Sequence, residues 1–439
     1  MTPQTGRELR RWYKLKDHTI QLDLVRAVSN GVRFPVVPAG RRSGKTERAK
    51  RFIAKEAMRN AGERYFIAAP TRDQVKKIYW QDMKLLCLTS LQKKAPSETD
   101  LIIHMNNGTE IHLIGLDKPE RIEGVLWTGG LIDELDDVKD GAWETNIRPA
   151  LDTYNPSRPD YLAWCWLIGV PDGLRHLYEF SQYAESGKDP DFKVYHWKSS
   201  DILPTKTIES AKRQMSAKQF RQEYEATFEN STGRIYEDYD KNNYTDARLE
   251  KHERLMLTCD FNYSPMSSAI AVRRGDDIYI LEEIILTSAV AQQTAMEFVE
   301  RYKYHDNKCM ELYGDPAGKA GEKHHQESDF TSMERVLRDA GWSVARRVAN
   351  STLSIKAGQN SVRAKIANAY GERSLFVNPN TAPYVHKALA TGTLKKGSAF
   401  LEEENEYQHV GTAVRYMVDI LFPVVENRVG TARTPGAPR

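Results

Sequence analysis

Cysteine is scarce in this chain. Its 439 residues hold four, Cys87, Cys165, Cys259 and Cys309, with no C-x-x-C pair among them. That excludes a zinc ribbon or a disulfide scaffold and suits a reducing compartment. Long apolar runs are also lacking. The longest, Leu162 to Val170, falls far short of the roughly 20 residues a membrane-spanning helix needs. The N-terminus, MTPQTGRELRRWYKLKDH, has no apolar core and does not read as a signal peptide. Neither charge dominates: the net charge of +3 does not by itself force nucleic-acid binding. No internal repeat or low-complexity block is visible. Hydrophobic content of 40% and charged content of 28% fit a globular protein, and the length is too great for one ordinary core, so two domains are expected.

Against these absences stands "AGRRSGKTE" (Ala39 to Glu47). Its spacing fits a phosphate-binding loop, with Gly44, Lys45 and Thr46 in the x-G-K-T positions. Backbone N–H groups of Gly40, Arg41, Arg42, Ser43 and Gly44 are expected to face phosphate oxygens. Lys45 would reach the β- and γ-phosphates and Thr46 would ligate Mg²⁺. The first position is Ala39 rather than Gly, so Gly40 is expected to supply the tight turn. The flanks support the motif. An apolar run, Val32 to Val37, precedes it, and Ala49, Phe52, Ile53, Ala57 and Met58 follow at helical spacing up to Gly62. Pro35 and Pro38 predict a short strand.

Downstream, "GGLIDELDD" is an apolar strand ending in acids, 88 residues after Lys45. Asp133 would enter the Mg²⁺ shell and Glu134 would polarise the attacking water. "YFIAAPTRDQVKKIYW" and "WLIGVPDGLRHLYEF" each read as strand, turn, helix. Strands alternating with helices predict a mostly parallel sheet covered on both faces. Gln21, in "HTIQLDLVRA", lies near the start of a helix, and on the residues alone reads as an exposed helix glutamine.

From about residue 220, "FRQEYEATFENSTGRIYEDYDKNNY" passes from helix to a polar connection. Next come a strand ending in Asp260, two antiparallel strands about Gly275 and Asp276, a helix near Val290 to Tyr304, and a strand running into "LYGDPAG" with Asp315 at its end. Carboxylates on neighbouring strands in this order are the layout of ribonuclease-H-like nucleases. There they share two divalent ions about 4 Å apart, and oxygen ligands favour Mg²⁺ or Mn²⁺. Between Arg346 and Gly397 nine Lys or Arg stand against one acid, a candidate DNA-facing stretch.

An ATPase joined to such a nuclease resembles the large terminase subunit of tailed bacteriophages. The resemblance rests on AGRRSGKT, IAAPTRDQV, GLDKPERIEG, LIDELDD, QEYEATFENSTGRIYEDYD and LYGDPAG. It implies an α/β chain: an N-terminal P-loop ATPase with a mostly parallel sheet (1–228), a linker (229–252), a C-terminal ribonuclease-H-like α/β nuclease (253–425) and a flexible tail (426–439). The implied function is a packaging motor. It hydrolyses ATP to drive double-stranded DNA into a procapsid and cuts concatemers with a metal-dependent endonuclease. The implied partners are DNA, the portal protein, the small terminase subunit and, on the portal, a ring of its own copies; alone in solution it could be a monomer. No membrane is implied, and the implied location is the host bacterial cytoplasm. The alternative is an ATP-dependent helicase–nuclease of repair or restriction, which would need a second motor domain. The resemblance also makes Gln21 the adenine contact and Arg41 the γ-phosphate arginine. It leaves the coupling residue open, because Gly169 and Val170 stand where Ser or Thr is usual.

The third nuclease ligand departs from the family pattern H-x-x-D-A-x-x-Y. In "EYQHVGTAVRYMVDILFP", Thr412 replaces the acid. His409 and Asp419 are the substitutes, with Glu404 and Glu406 behind them. Along a helix His409 and Asp419 lie about 15 Å apart, so at most one of them can serve ions about 4 Å apart.

Overall fold

The computed structural model describes residues 10–152, 161–229, 233–262, 264–316, 328–349, 354–395, 398 and 400–423. The expected tail 426–439 lies outside them. The chain divides into two compact units. One runs to residue 208 and takes in 221–229; the other holds 209–220 and continues from 233.

The run before the phosphate loop forms β1 (Phe34–Pro38), every residue buried. After the loop, the helix Lys45–Arg59 buries Ala49, Phe52, Ile53 and Ala57, an apolar stripe at helical spacing. The remaining strands of this unit are β2 (Arg64–Ala69), β3 (Ile102–His104), β4 (Glu110–Gly115), β5 (Gly129–Ile132), β6 (Trp164–Gly169) and β7 (Phe192–Val194). They make one sheet in the order β3-β4-β2-β5-β6-β1-β7. Only the β3–β4 pair is antiparallel. Near-continuous apolar strands such as β6, Trp-Cys-Trp-Leu-Ile-Gly, need cover on both faces. Two apolar clusters provide it: Phe52, Trp164, Trp166 and Trp197 on one side, and Phe34, Phe66, Ile132 and Leu177 on the other. Parallel strands put the loops after β1, β5 and β6 on one edge, where ligands of open α/β sheets bind.

In the second unit β8 (Leu255–Asp260), β9 (Met266–Arg274) and β10 (Asp277–Leu286) are antiparallel neighbours. The β9–β10 hairpin turns at Gly275 and Asp276, with Gly275 at φ +67°, where a side chain would be strained. The next helix, Ala291–Arg301, agrees with the expected 290–304 segment. Then come β11 (Cys309–Gly314), β12 (Ser343–Arg346) and β13 (Leu375–Val377), completing the order β12-β11-β8-β9-β10-β13. β11 is parallel to β8 with Gly314 opposite Cys259, so the next pair in register is Asp315 opposite Asp260. The helix Gln408–Leu421 packs on this sheet: the Thr258 hydroxyl donates to the Ala413 carbonyl at 2.5 Å.

Candidate functional site

The loop after β1 is bound tightly in place. A Cβ on Gly40 would collide with Ser199 Oγ and stand 2.5 Å from the Tyr224 carbonyl oxygen, so only glycine fits. Gly40 therefore answers a close approach of backbone rather than a left-handed φ. The positive φ values fall at Arg42 (58°) and Gly44 (86°). The Ser43 carbonyl accepts from Gln21 Nε2 (2.9 Å) and Trp197 Nε1 (3.1 Å). Gln21 is 3% exposed, which corrects its reading as a surface residue. Its oxygen accepts from Arg48 Nε at 3.1 Å, so here Gln21 braces the loop.

The loop and the end of β5 converge. The Thr46 hydroxyl donates to Asp133 Oδ2 at 3.0 Å, and the Tyr79 hydroxyl reaches the same oxygen at 2.6 Å. The Glu134 N–H donates to Asp133 Oδ1 at 3.0 Å. Lys45 is buried; desolvation lowers its pKa, and Glu134 and Asp133 oppose that shift. Glu134 sits at φ 53°, a strained position for a non-glycine residue and one that turns its side chain away from the strand. Burial, then the Asp133 charge, pushes its carboxyl up to about 7, against Lys45 and Arg41. Burial would lower the Arg41 guanidinium, but the Glu223 carboxylate outweighs it, so the net shift is upward. Arg41 Nε donates to Glu223, and the Arg41 N–H donates to the Glu223 carbonyl at 2.6 Å. The Ser43 hydroxyl is buried with no hydrogen-bond partner. This set fits a polyphosphate: a desolvated lysine, a loop opening a helix N-terminus, and two oxygen ligands meeting beside it.

Tyr79, Glu223, Ser199 and Trp197 escaped sequence reasoning. Tyr79 lies inside the quoted IYW stretch, but only the fold brings it to Asp133. Glu223 is 182 residues from Arg41.

In the second unit His409 Nδ1 lies 3.0 Å from Asp260 Oδ2. That hydrogen bond raises the His409 pKa, against desolvation, so the ring is drawn toward its charged form. Tyr416 feels the charges of both Asp315 and Asp260 after burial has raised its own pKa. His409, Thr412 and Tyr416 thus share one helix face toward the two acids. Thr412 is 7% exposed and its hydroxyl has no hydrogen-bond partner among the described residues. Asp419 is the correction. It is buried elsewhere, accepting from the Ser361 hydroxyl at 2.7 Å, because seven further residues carry it about 10.5 Å along the axis. Glu404 is exposed and bonded by Lys395 at 2.9 Å. Among the described residues no three His, Cys, Asp or Glu side chains converge as a metal cage. The donor chemistry of Asp260 and Asp315 suits an oxygen-ligated divalent ion.

No family model matches the chain. It is 24% identical over 245 residues to the large terminase subunit of Escherichia phage T5, covering 52% of this chain and 54% of that protein. The match thus spans about half the length of this curated relative. Among solved structures, the large terminase of a thermophilic bacteriophage matches with a TM-score of 0.59 and 15% identity, over 92% of this chain and 99% of that one. The chain resembles the large terminases of phages. A complex of the same thermophilic phage protein with ADP matches with a TM-score of 0.56 and 15% identity, over 96% of this chain and all of that one. At 15% identity this likeness speaks for the fold alone, two mixed α/β units each built on one sheet. No helix among the described residues is long and apolar enough to cross a membrane.

Proposed function

We propose that the chain is the ATPase–nuclease of a phage DNA-packaging motor. The observation that carries this reading is the convergence of Lys45, Thr46, Asp133, Glu134 and Arg41 on one sheet edge. Gly40, Arg41, Arg42, Ser43 and Gly44 present backbone N–H groups to the phosphates of ATP, and Lys45 neutralises them. Mg²⁺ held by Thr46 and Asp133 would offset charge growing on the phosphates in the transition state. Glu134 orients and deprotonates the attacking water, while Arg41 leaves Glu223 for the γ-phosphate. Gln21 braces the loop and would have to exchange partners to reach adenine. The ADP complex of the thermophilic phage terminase supports a nucleotide here by likeness of fold.

In the second unit Asp260 and Asp315 would hold Mg²⁺ or Mn²⁺, whose chemistry there would be to activate water for phosphodiester cleavage. His409, whose Nδ1 lies 3.0 Å from Asp260 Oδ2, would be the third ligand. The motor would comprise the unit that runs to residue 208 with 221–229, and the nuclease the unit that holds 209–220 and continues from 233, so the expected boundaries 1–228, 229–252 and 253–425 shift. Double-stranded DNA is what the motor moves and what the nuclease cuts. The portal protein, the small terminase subunit and a ring of further copies are the working partners, in the host bacterial cytoplasm. Purified protein should hydrolyse ATP with Mg²⁺ and cut DNA with Mg²⁺ or Mn²⁺. Lys45→Ala should abolish hydrolysis alone, and Asp260→Ala or Asp315→Ala cleavage alone. Normal ATPase in the Lys45→Ala protein would overturn the motor assignment.

A further inference from the structure

β6 lies between β5 and β1, so the segment leaving it emerges between Glu134 and the phosphate loop. Gly169 has no side chain and Val170 an apolar one, so neither can hydrogen-bond Glu134 by a side chain. The tie runs through Asp136 instead. Its carboxylate is 4% exposed and accepts two backbone N–H groups, from Leu177 at 2.7 Å and Asp172 at 2.9 Å. Leu177 is the second residue of the helix His176–Glu185, where a carboxylate is favoured. A helix cap would need only one of these bonds. The second fastens the far end of the same loop, and because Asp136 lies in the short turn Leu135–Asp137, only Leu135 separates this double clamp from Glu134.

The chain of contacts goes on. Asp172 Oδ1 accepts from Gln222 Nε2 at 3.1 Å. Gln222 lies in the strap Arg221–Glu225, whose next residue, Glu223, holds the Arg41 guanidinium and its N–H. The strap also touches the loop at Gly40 through the Tyr224 carbonyl. These contacts form an open ring that runs from Glu134 through Asp136, residues 172–177, Gln222 and Glu223 to Arg41, which in turn feels the Glu134 charge.

Resting on the ATPase reading above, we propose that Asp136 and Gln222 are positioning residues that make Glu134, the 170–177 segment and the Arg221–Glu225 strap move as one body. When Arg41 exchanges Glu223 for the terminal phosphate, the released strap shifts the 170–177 segment, and Asp136 carries that shift to the turn holding Glu134. Hydrolysis competence and strap position are then one event. The coupling that a hydroxyl after β6 would supply comes here from a carboxylate after β5.

Gln222→Ala cuts the ring and leaves Lys45, Arg41, Asp133 and Glu134 untouched. In the full-length chain kcat should fall about 10- to 100-fold, the scale of a misplaced catalytic group. Affinity for a non-hydrolysable ATP analogue with Mg²⁺ should change less than about twofold, because binding contacts are kept. In the unaltered protein the analogue should change hydrogen exchange at the Asp172 and Leu177 amides; in Gln222→Ala that response should be lost. Asp136→Asn offers one acceptor and one donor to two N–H groups, so it should give the same split. The double variant should be no worse than the more affected single one. A folded Gln222→Ala protein with unaltered kcat and exchange response would overturn the proposal, as would strictly additive effects. If the unaltered chain fails to bind the analogue, the ATPase reading itself falls, and this one with it.

Discussion

Glu134 is the residue whose surroundings say most about rate. Desolvation and Asp133 raise its carboxyl toward neutrality. A general base works deprotonated, so kcat/KM for ATP, which reports the free enzyme, should rise with pH by about tenfold per unit on the acid side of neutrality and then level. A profile flat from about pH 5.5 to 8 would remove Glu134 as the base. The same shift has a stability sign. The folded state binds this proton more tightly than the unfolded chain, whose value is near 4.5. The group therefore contributes stability at pH below 4.5, and loses it as pH rises through its folded value. Glu134→Gln should flatten that limb of a melting-temperature profile, keep nucleotide binding and lower turnover by about 10²–10⁴. Arg41 offers a contrast. Arg41→Ala should cost about 10³–10⁵ in rate, as arginine fingers do, with little loss of binding. Glu223→Gln should weaken the competing ion pair and lower KM without a comparable fall in kcat. Steady-state kinetics on the two variants separates these outcomes.

At the scale of elements, the C-terminal helix is the test of the second site. Its sequence pattern and its register agree: His409, Thr412 and Tyr416 face the acids, and Asp419 does not. Thr412→Asp puts a buried carboxylate beside Asp260 and Asp315, where like charges repel. The variant should melt lower than the parent in EDTA, regain the loss with Mn²⁺, and need less Mn²⁺ for half-maximal cleavage. Equal melting with and without the ion would show that this face binds no metal. The basic stretch reads differently from its sequence. Arg346 is paired with Glu334, Arg347 with Glu311, Arg373 with Asp240 and Lys395 with Glu404. Arg363 donates to the Ile235 carbonyl and Asn360. Arg373 is held by Asp240, the Asn243 side chain and the Asp238 carbonyl, so Arg373→Ala should lower stability and leave the salt slope of DNA binding unchanged, against about one unit per lost phosphate contact. The same contrast explains what was legible. Apolar periodicity around Lys45, the acids ending β5, β8 and β11 and the Gly275 turn are local patterns. The partners of Arg373, Gln21, Arg41 and Asp133 are not, because each depends on a residue far off in the chain.

For the whole molecule, the question is where the second unit begins. A cut just before β8 looks natural from the strand pattern, but the polar segment ahead of it is part of the fold. Ile235, Tyr236 and Tyr239 are each 3% exposed, packed in the same cluster as Val362, Val385 and Val410. Asn243, fully buried, donates to the carbonyls of Ile366 and Leu375 at 3.0 and 2.9 Å. The Ile235 N–H bonds the Gly392 carbonyl at 2.9 Å. Upstream, the Lys212 carbonyl accepts from the Ala369 N–H at 3.0 Å, and Lys218 pairs with Glu237 at 2.8 Å. Removing three large buried side chains forfeits about 1.5–3 kcal/mol each and strips partners from buried polar groups. That sum rivals the roughly 5–15 kcal/mol by which a domain is stable. A fragment starting at Glu209 should therefore fold and melt cooperatively. One starting at Leu255 should be aggregated or melt at least about 9 °C lower, since 1 kcal/mol moves Tm by roughly 2–4 °C in a domain of this size. Nuclease activity should follow the melt, present in the longer fragment with Mn²⁺ and absent from the shorter. Equal stability of the two fragments would show that residues 209–254 only lean on the sheet, and would return the start of the folding unit to β8.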